Sequence, residues 1–163
     1  MGQEEAENRG KYYPLRINKL LYNHPLGMNL YGLNWSKSAI EIMKKAIIFE
    51  SEKSVLKYAS DFGWNNNISV ACCGSAVSVY QIQELLDCGA EEIIIAFDRQ
   101  FQEIDDKEFK HLKNNLLKIR SKFKNDVIIS FIFDKNMLTS YKASPIDEGP
   151  EKFLKLFKER IVL

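Results

Sequence analysis

Three carboxylates each follow an apolar run in this 163-residue sequence. Glu50 comes after residues 46–49 (Ala-Ile-Ile-Phe), Asp98 after 93–97 (Ile-Ile-Ile-Ala-Phe) and Asp134 after 127–133 (Val-Ile-Ile-Ser-Phe-Ile-Phe). Continuous apolar runs of this kind are expected of strands covered on both faces. Neighbouring strands lie about 4.8 Å apart, so acids at adjacent strand ends converge. Crowded carboxylates repel one another, and a hard divalent cation removes that cost; Mg²⁺ takes oxygen ligands and keeps several waters, so two or three acids suffice. The competing explanation is local, because Asp favours turns and both acids cap helices. Lys53 and Arg99 flank the first two acids. A cation there holds a nucleotide or nucleic-acid phosphate beside a metal, or else forms a salt bridge with Glu50 or Asp98.

The elements that must carry these acids are read from periodicity. Residues 1–10 are polar and acid-rich, expected as a frayed terminus, and 11–32 form an irregular arm broken by Pro14 and Pro25, with a short strand over 15–18. Ser38 and Glu41 have capping-box spacing, which predicts a helix from there through Lys45. After the 46–49 strand, Val55, Leu56, Ala59 and Phe62 recur at helical spacing and stop at Gly63. A second strand over 68–73 leads to a second capping box, Ser78 with Gln81, and a helix stripe of Val79, Ile82, Leu85 and Leu86 closed by Gly89. The 93–97 strand precedes a long helix over 105–124, with Phe109, Leu112, Leu116, Ile119 and Phe123 inward and an acidic start and basic finish that suit the dipole. The 127–133 strand is followed by a final helix from Pro150 that buries Phe153, Leu154, Phe157 and Ile161. Four strands alternating with helices predict an open α/β sheet, mainly parallel and joined by right-handed crossovers, with helices on both faces. Ligands in such sheets bind beyond the carboxyl ends of the strands, where the three acids fall.

Composition sets limits on function. Charges nearly cancel, 23 Lys and Arg against 22 Asp and Glu, so a nucleic-acid partner must be argued from a local patch. The lysine stripe of Lys152, Lys155 and Lys158 and the basic positions from Lys110 to Lys124 are read as solvated helix faces. Three cysteines, Cys72, Cys73 and Cys88, with no Cys-x-x-Cys, give neither a disulfide framework nor a structural zinc site. Gly74-Ser75 before a capped helix is a weak phosphate signal without P-loop length. His24 and His111 have no nucleophile at motif spacing. No apolar run approaches a membrane span, and the chain is expected to be cytoplasmic.

Ile47-Ile48-Phe49-Glu50-Ser51-Glu52-Lys53-Ser54-Val55-Leu56, followed by Ile94-Ile95-Ala96-Phe97-Asp98-Arg99, resembles the Toprim domain shared by bacterial and phage DNA primases, type IA and II topoisomerases and some nucleases. Its hallmark is a glutamate after the first strand and Asp-x-Asp after the third, together handling Mg²⁺. The primase branch is the nearest. Asn29-Leu30-Tyr31-Gly32-Leu33 resembles the lead-in to a primase's acidic strand, and residues 141–149 (Tyr-Lys-Ala-Ser-Pro-Ile-Asp-Glu-Gly) resemble the Lys-Asp-Pro-x-Asp stretch before its terminal helix. The resemblance spans residues 30–163, which makes 1–32 an arm left from an upstream primase region and 33–163 the Toprim domain. There are departures: Ser51 replaces the usual glycine, Gln100 the second aspartate, Ser54 a further acid and Ala143 the acid of Lys-Asp-Pro.

The resemblance implies the metal-binding portion of a phage-like DNA primase acting in DNA replication. Glu50 and Asp98 would be the catalytic pair. Glu50, Asp98, Asp134 and Asp147 would form the metal set for Mg²⁺, with Mn²⁺ as substitute, Asp134 resting on spacing alone. Lys53, Arg99 and Lys142 would hold phosphate or nucleic acid. The parent enzyme would be a nucleotidyltransferase that builds RNA primers on a single-stranded DNA template from nucleoside triphosphates, beside a replicative helicase, and this fragment alone is expected to be inactive. Two alternatives remain open: a Toprim nuclease, or a non-catalytic module that binds nucleic acid or a replisome partner through an eroded metal site.

Overall fold

A computed structural model describes residues 15–22, 25–123 and 127–162. The expected frayed terminus and His24 lie outside the described residues. The arm holds a hairpin rather than one strand: β1 (Leu15–Ile17) pairs antiparallel with β2 (Leu20–Tyr22). Asn18 and Lys19 turn it with positive φ of 48° and 67°, the pattern of a two-residue hairpin loop matched to strand twist. Further along, Gln81 Nε2 donates to the carbonyls of Leu26 and Asn29, both at 2.8 Å, which ties the arm to the body of the chain.

The main sheet has five strands, β3 (Lys45–Phe49), β4 (Ser69–Ala71), β5 (Glu92–Ala96), β6 (Ile128–Phe131) and β7 (Ile161–Val162), in the spatial order β4-β3-β5-β6-β7. The first four are parallel, and β7 adds antiparallel to β6 with Phe131 opposite Ile161. Four strands were expected. The fifth arises because the last helix stops before Ile161, which turns back as an exposed sheet edge instead of entering the core. In β3 and β5, residues 46–49 and 93–96 are fully buried, which accounts for their lack of alternation.

Helix α1 (Leu33–Met43) starts five residues before the predicted Ser38 cap. Gly32 caps it at φ +85°, a left-handed conformation suited to glycine, and a Cβ there would meet Val55 Cγ1 at 3.0 Å. Ser36 Oγ lies 2.8 Å from the Gly32 carbonyl and 2.7 Å from that of Ser69, docking the helix on β4, so Ser38 falls on the exposed side. Helix α2 (Glu52–Phe62) and α3 (Val79–Asp87) match their stripes in part. Val55, Ala59, Ile82 and Leu85 are buried, but Leu56 and Val79 are exposed, each sitting at the margin of its stripe. The Ser78–Gln81 capping box forms with both reciprocal bonds. Asp106 caps α4 (Lys107–Ser121) by accepting from Phe109 N at 2.6 Å. Helix α5 (Pro150–Lys158) packs against α2 through Phe153, whose ring lies 5.5 Å from Tyr58 and 5.8 Å from Phe62, while Leu154 is exposed. Burying Phe153 fully stabilises this contact by about 1.5–3 kcal/mol. The cluster extends to Phe49, which lies 6.1 Å from Phe153 and is the last residue of the strand before Glu50.

Candidate metal centre

Parallel pairing places the acid after β3 beside the acid after β5. Phe49 is in register with Ala96, so the chain beyond each strand leaves on the same side. Asp98 N donates to Glu50 Oε1 at 3.2 Å, and Gln100 Nε2 lies 3.5 Å from the same oxygen. Gln100 thus joins the cluster as a donor to Glu50, in the place where the Toprim pattern has a carboxylate.

Burial first, and the Asp98 carboxylate second, push the Glu50 carboxyl up to about 7; the Asp98 amide hydrogen bond opposes them. Burial and then Asp147 push Asp98 up to about 6, against the pull of Lys53. Asp98 Oδ1 is buried without a hydrogen-bond partner. Asp147 Oδ2 accepts from Ser144 N at 3.1 Å, while its Oδ1 lies 3.1 Å from the well-exposed Lys53 Nζ. Lys53 therefore neutralises Asp147 rather than standing free for phosphate.

Two expected participants are drawn elsewhere. Asp134 is buried and fully engaged: Oδ1 accepts from Leu138 N, and Oδ2 from Thr139 N and Oγ1, all at 2.8 Å. Arg99 Nε donates to the Thr139 carbonyl at 3.1 Å and lies 3.9 Å from Asp134 Oδ2, and Nη1 donates to the Phe101 carbonyl at 2.7 Å. The arginine backbone also exchanges bonds with Ala143 O and Lys142 N. Asp134 and Arg99 accordingly hold the loop that brings Asp147 to Asp98, with both Asp134 oxygens and the Arg99 Nε and Nη1 engaged there. Lys142 is exposed, at φ +61°, with Nζ 5.3 Å from the Tyr141 ring centre.

The sequence reading missed Ser144 as an individual residue. Its Oγ is buried without a partner beside the Asp147 turn, and no local spacing signals this because the position depends on how the loop folds back. Cys72 also stands near the cluster. Burial chiefly, with Glu50 adding to it, pushes its thiol up to about 12, so it is an inert neighbour rather than a thiolate ligand.

Among the described residues, no group of three His, Cys, Asp or Glu side chains is placed to hold a metal ion. The donors at hand are oxygens in pairs: Glu50 with Asp98, and Asp98 with Asp147. An orphaned, buried carboxylate oxygen among like charges suits a hard cation that keeps most of its waters.

Structural comparison decides the fold. A DNA primase domain from Pseudomonas aeruginosa superposes with a TM-score of 0.63 at 17% identity, over 85% of this chain and 40% of that one. A DnaG primase catalytic domain bound to single-stranded DNA gives 0.57 at 18% identity, over 90% and 43%. The chain shares the Toprim-type fold of these primase catalytic cores. In sequence, the chain is 38% identical to the SPbeta prophage-derived uncharacterized protein YorJ of Bacillus subtilis, over 99% of its own length. It spans 44% of that relative. No protein-family model matches the chain. Among the described residues, no helix of this Toprim fold is long and apolar enough to cross a membrane.

Proposed function

We propose that the chain is the metal-binding Toprim part of a phage-type DNA primase, with Glu50 and Asp98 as the ligands of one weakly held Mg²⁺ or Mn²⁺ and Asp147 as a third acid at its edge. The observation that carries this reading is the convergence of Glu50 and Asp98 beyond adjacent parallel strands, both titrating high and with one buried oxygen unpartnered. When bound, the ion would stabilise charge on the phosphoryl oxygens as a primer 3′-hydroxyl attacks the α-phosphate of a nucleoside triphosphate and pyrophosphate leaves. Glu50 Oε1 accepts from the Asp98 amide and from Gln100, and Oε2 would be the oxygen offered to the ion. Arg99 and Asp134 act as positioning residues, keeping the Asp147 loop in place. The DNA seen on a primase catalytic domain of the same fold supports single-stranded DNA as the template of the parent enzyme. Nucleoside triphosphates follow from the same reading, and a helicase partner remains an expectation from the resemblance.

Isothermal calorimetry or Mn²⁺ relaxation on the wild type and Glu50→Gln tests the metal claim. The wild type should bind in the millimolar range and the variant at least tenfold more weakly. Equal binding removes Glu50 from the site.

A second reading, a non-catalytic module with an eroded centre, draws on the Lys53–Asp147 ion pair, which already neutralises the third acid. The two separate in the parent protein: Asp98→Asn should abolish primer synthesis on the first reading and leave the parent's behaviour unchanged on the second.

A further inference from the structure

Helix α4 stands off the sheet margin and leaves an open cleft of about 190 Å³, walled by Phe109, Leu112 and Leu116 on one side and Phe131, Phe133 and Ile161 on the other. Leu117 and Lys113 form its rim, and Leu117 and Ile161 are 48% and 42% exposed, so this apolar surface faces solvent. None of the acids of the metal centre lines it. Beside it, Lys107, Lys110 and Lys113 recur every three residues along α4, about 4.5 Å apart along the axis. All three are exposed, and among the described residues none has an acid within ion-pair distance. An apolar slot bordered by lysines that stand outside ion pairs is complementary to an apolar side chain bordered by negative charge.

We propose that this cleft docks a short segment of a partner protein in which acidic residues flank a bulky apolar side chain. The apolar side chain fills the space between α4 and the β6–β7 margin, and the flanking acids meet Lys113 and then Lys110. The volume suits one or two side chains rather than a helix face. Two other occupants fit less well. Nucleic-acid phosphates would satisfy the lysines but leave the slot empty, and the rings of the slot offer no open stacking platform. Phe109 and Phe133 pack edge to face at 5.4 Å, Phe131 and Phe133 likewise at 6.3 Å, and Phe101 stacks on Phe133 at 5.3 Å. A second copy joined through the same face would set lysine row against lysine row. The proposal does not rest on the primase reading.

The test is a defined array of fluorescein-labelled octapeptides with a central Phe-Leu, Ile-Leu or Ala-Ala pair and acidic, neutral or basic flanks, read by anisotropy on the full chain. Acid-flanked peptides with an apolar centre should bind in the micromolar range, and their Ala-Ala and basic-flanked counterparts should bind at least tenfold more weakly. Leu117→Glu, which places a charge at the rim, and the pair Lys110→Glu with Lys113→Glu should each weaken binding at least tenfold. Both variants alter exposed positions, and unchanged melting shows that the fold is kept. Four outcomes overturn the proposal: no peptide binding up to about 1 mM; indifference to flank charge; oligothymidylate binding that depends on the lysines but not on Leu117; or a dimer that Leu117→Glu dissociates.

Discussion

Replacing Asp98 with Asn should stabilise the fold when no divalent ion is present. Burial, then Asp147, raises the carboxyl from 3.8 to about 6. The folded state therefore binds this proton more tightly than the unfolded state does, and keeping the group ionised costs stability. The penalty is absent below pH 3.8, grows as pH rises and is complete above about pH 6. Two pH units correspond to about 3 kcal/mol, which solvent screening of a half-buried group reduces to roughly 1–2 kcal/mol. For a chain of this size the Asp98→Asn variant should melt about 2–8 °C above the wild type near pH 8 in chelator, and the gap should close near pH 4. Magnesium should act in the opposite direction. At ten times a millimolar Kd it adds about 1.4 kcal/mol to a protein that binds it only when folded, so the wild type should gain and the variant should not. Thermal melts at the two pH values, with chelator and with Mg²⁺, measure all four corners. A variant that melts no higher than the wild type at pH 8, or a gap unchanged at pH 4, refutes the crowding argument. Equal Mg²⁺ gains take Asp98 out of the metal site.

Glu92 has the opposite sign. Burial raises its carboxyl, but hydrogen bonds from Arg160, Ser130 and Lys45 outweigh that and bring it down to about 2, so its stabilisation is present above pH 4.5 and lost as pH falls towards 2. Glu92→Gln should cost roughly 2–3 kcal/mol near pH 7 in urea unfolding, with the loss vanishing in acid; a pH-independent difference would point to packing instead. Gly32→Ala forces a Cβ to φ +85° and to 3.0 Å from Val55 Cγ1, and should cost about 1–3 kcal/mol by the same measurement. Phe153→Ala empties the aromatic contact between α2 and α5 and should cost about 3–5 kcal/mol, unless the rings of Tyr58 and Phe62 collapse into the space, which a crystal structure would reveal.

The strands were legible because burial on both faces writes itself as unbroken apolar runs, as at residues 46–49 and 93–96. The order of strand and helix then led to a mainly parallel sheet. What misled was chemistry shared between positions. Ser38 and Glu41 have the spacing of a capping box, yet the helix begins at Leu33 because Gly32 supplies the left-handed turn and Ser36 the anchor to β4. Ile161 keeps helical spacing with Phe157, but Glu159 ends the helix by handing its amide back to the Lys155 and Phe157 carbonyls. Arg160 is then held by Glu92 at 2.6 Å, which turns the last residues onto the sheet.

The same ambiguity divides the acids. Glu50, Asp98 and Asp134 look alike in sequence, each following an apolar run, and only their partners separate them. Asp134 finds three donors in the next five residues and needs no cation. Glu50 finds the Asp98 amide and Gln100, and Asp98 Oδ1 finds none, so charge accumulates there. The neighbouring Lys53–Asp147 pair offers partial relief, but the lysine side chain is 75% exposed, and an ion pair in that setting is worth no more than about 1 kcal/mol. A contact that weak sets no barrier to exchange: a divalent ion between Glu50 and Asp98 would compete with Lys53 for Asp147 and free the lysine for a phosphate oxygen. On the proposed metal reading, the arrangement would couple holding a metal to releasing Lys53, through one carboxylate that cannot be fully engaged by both cations at once.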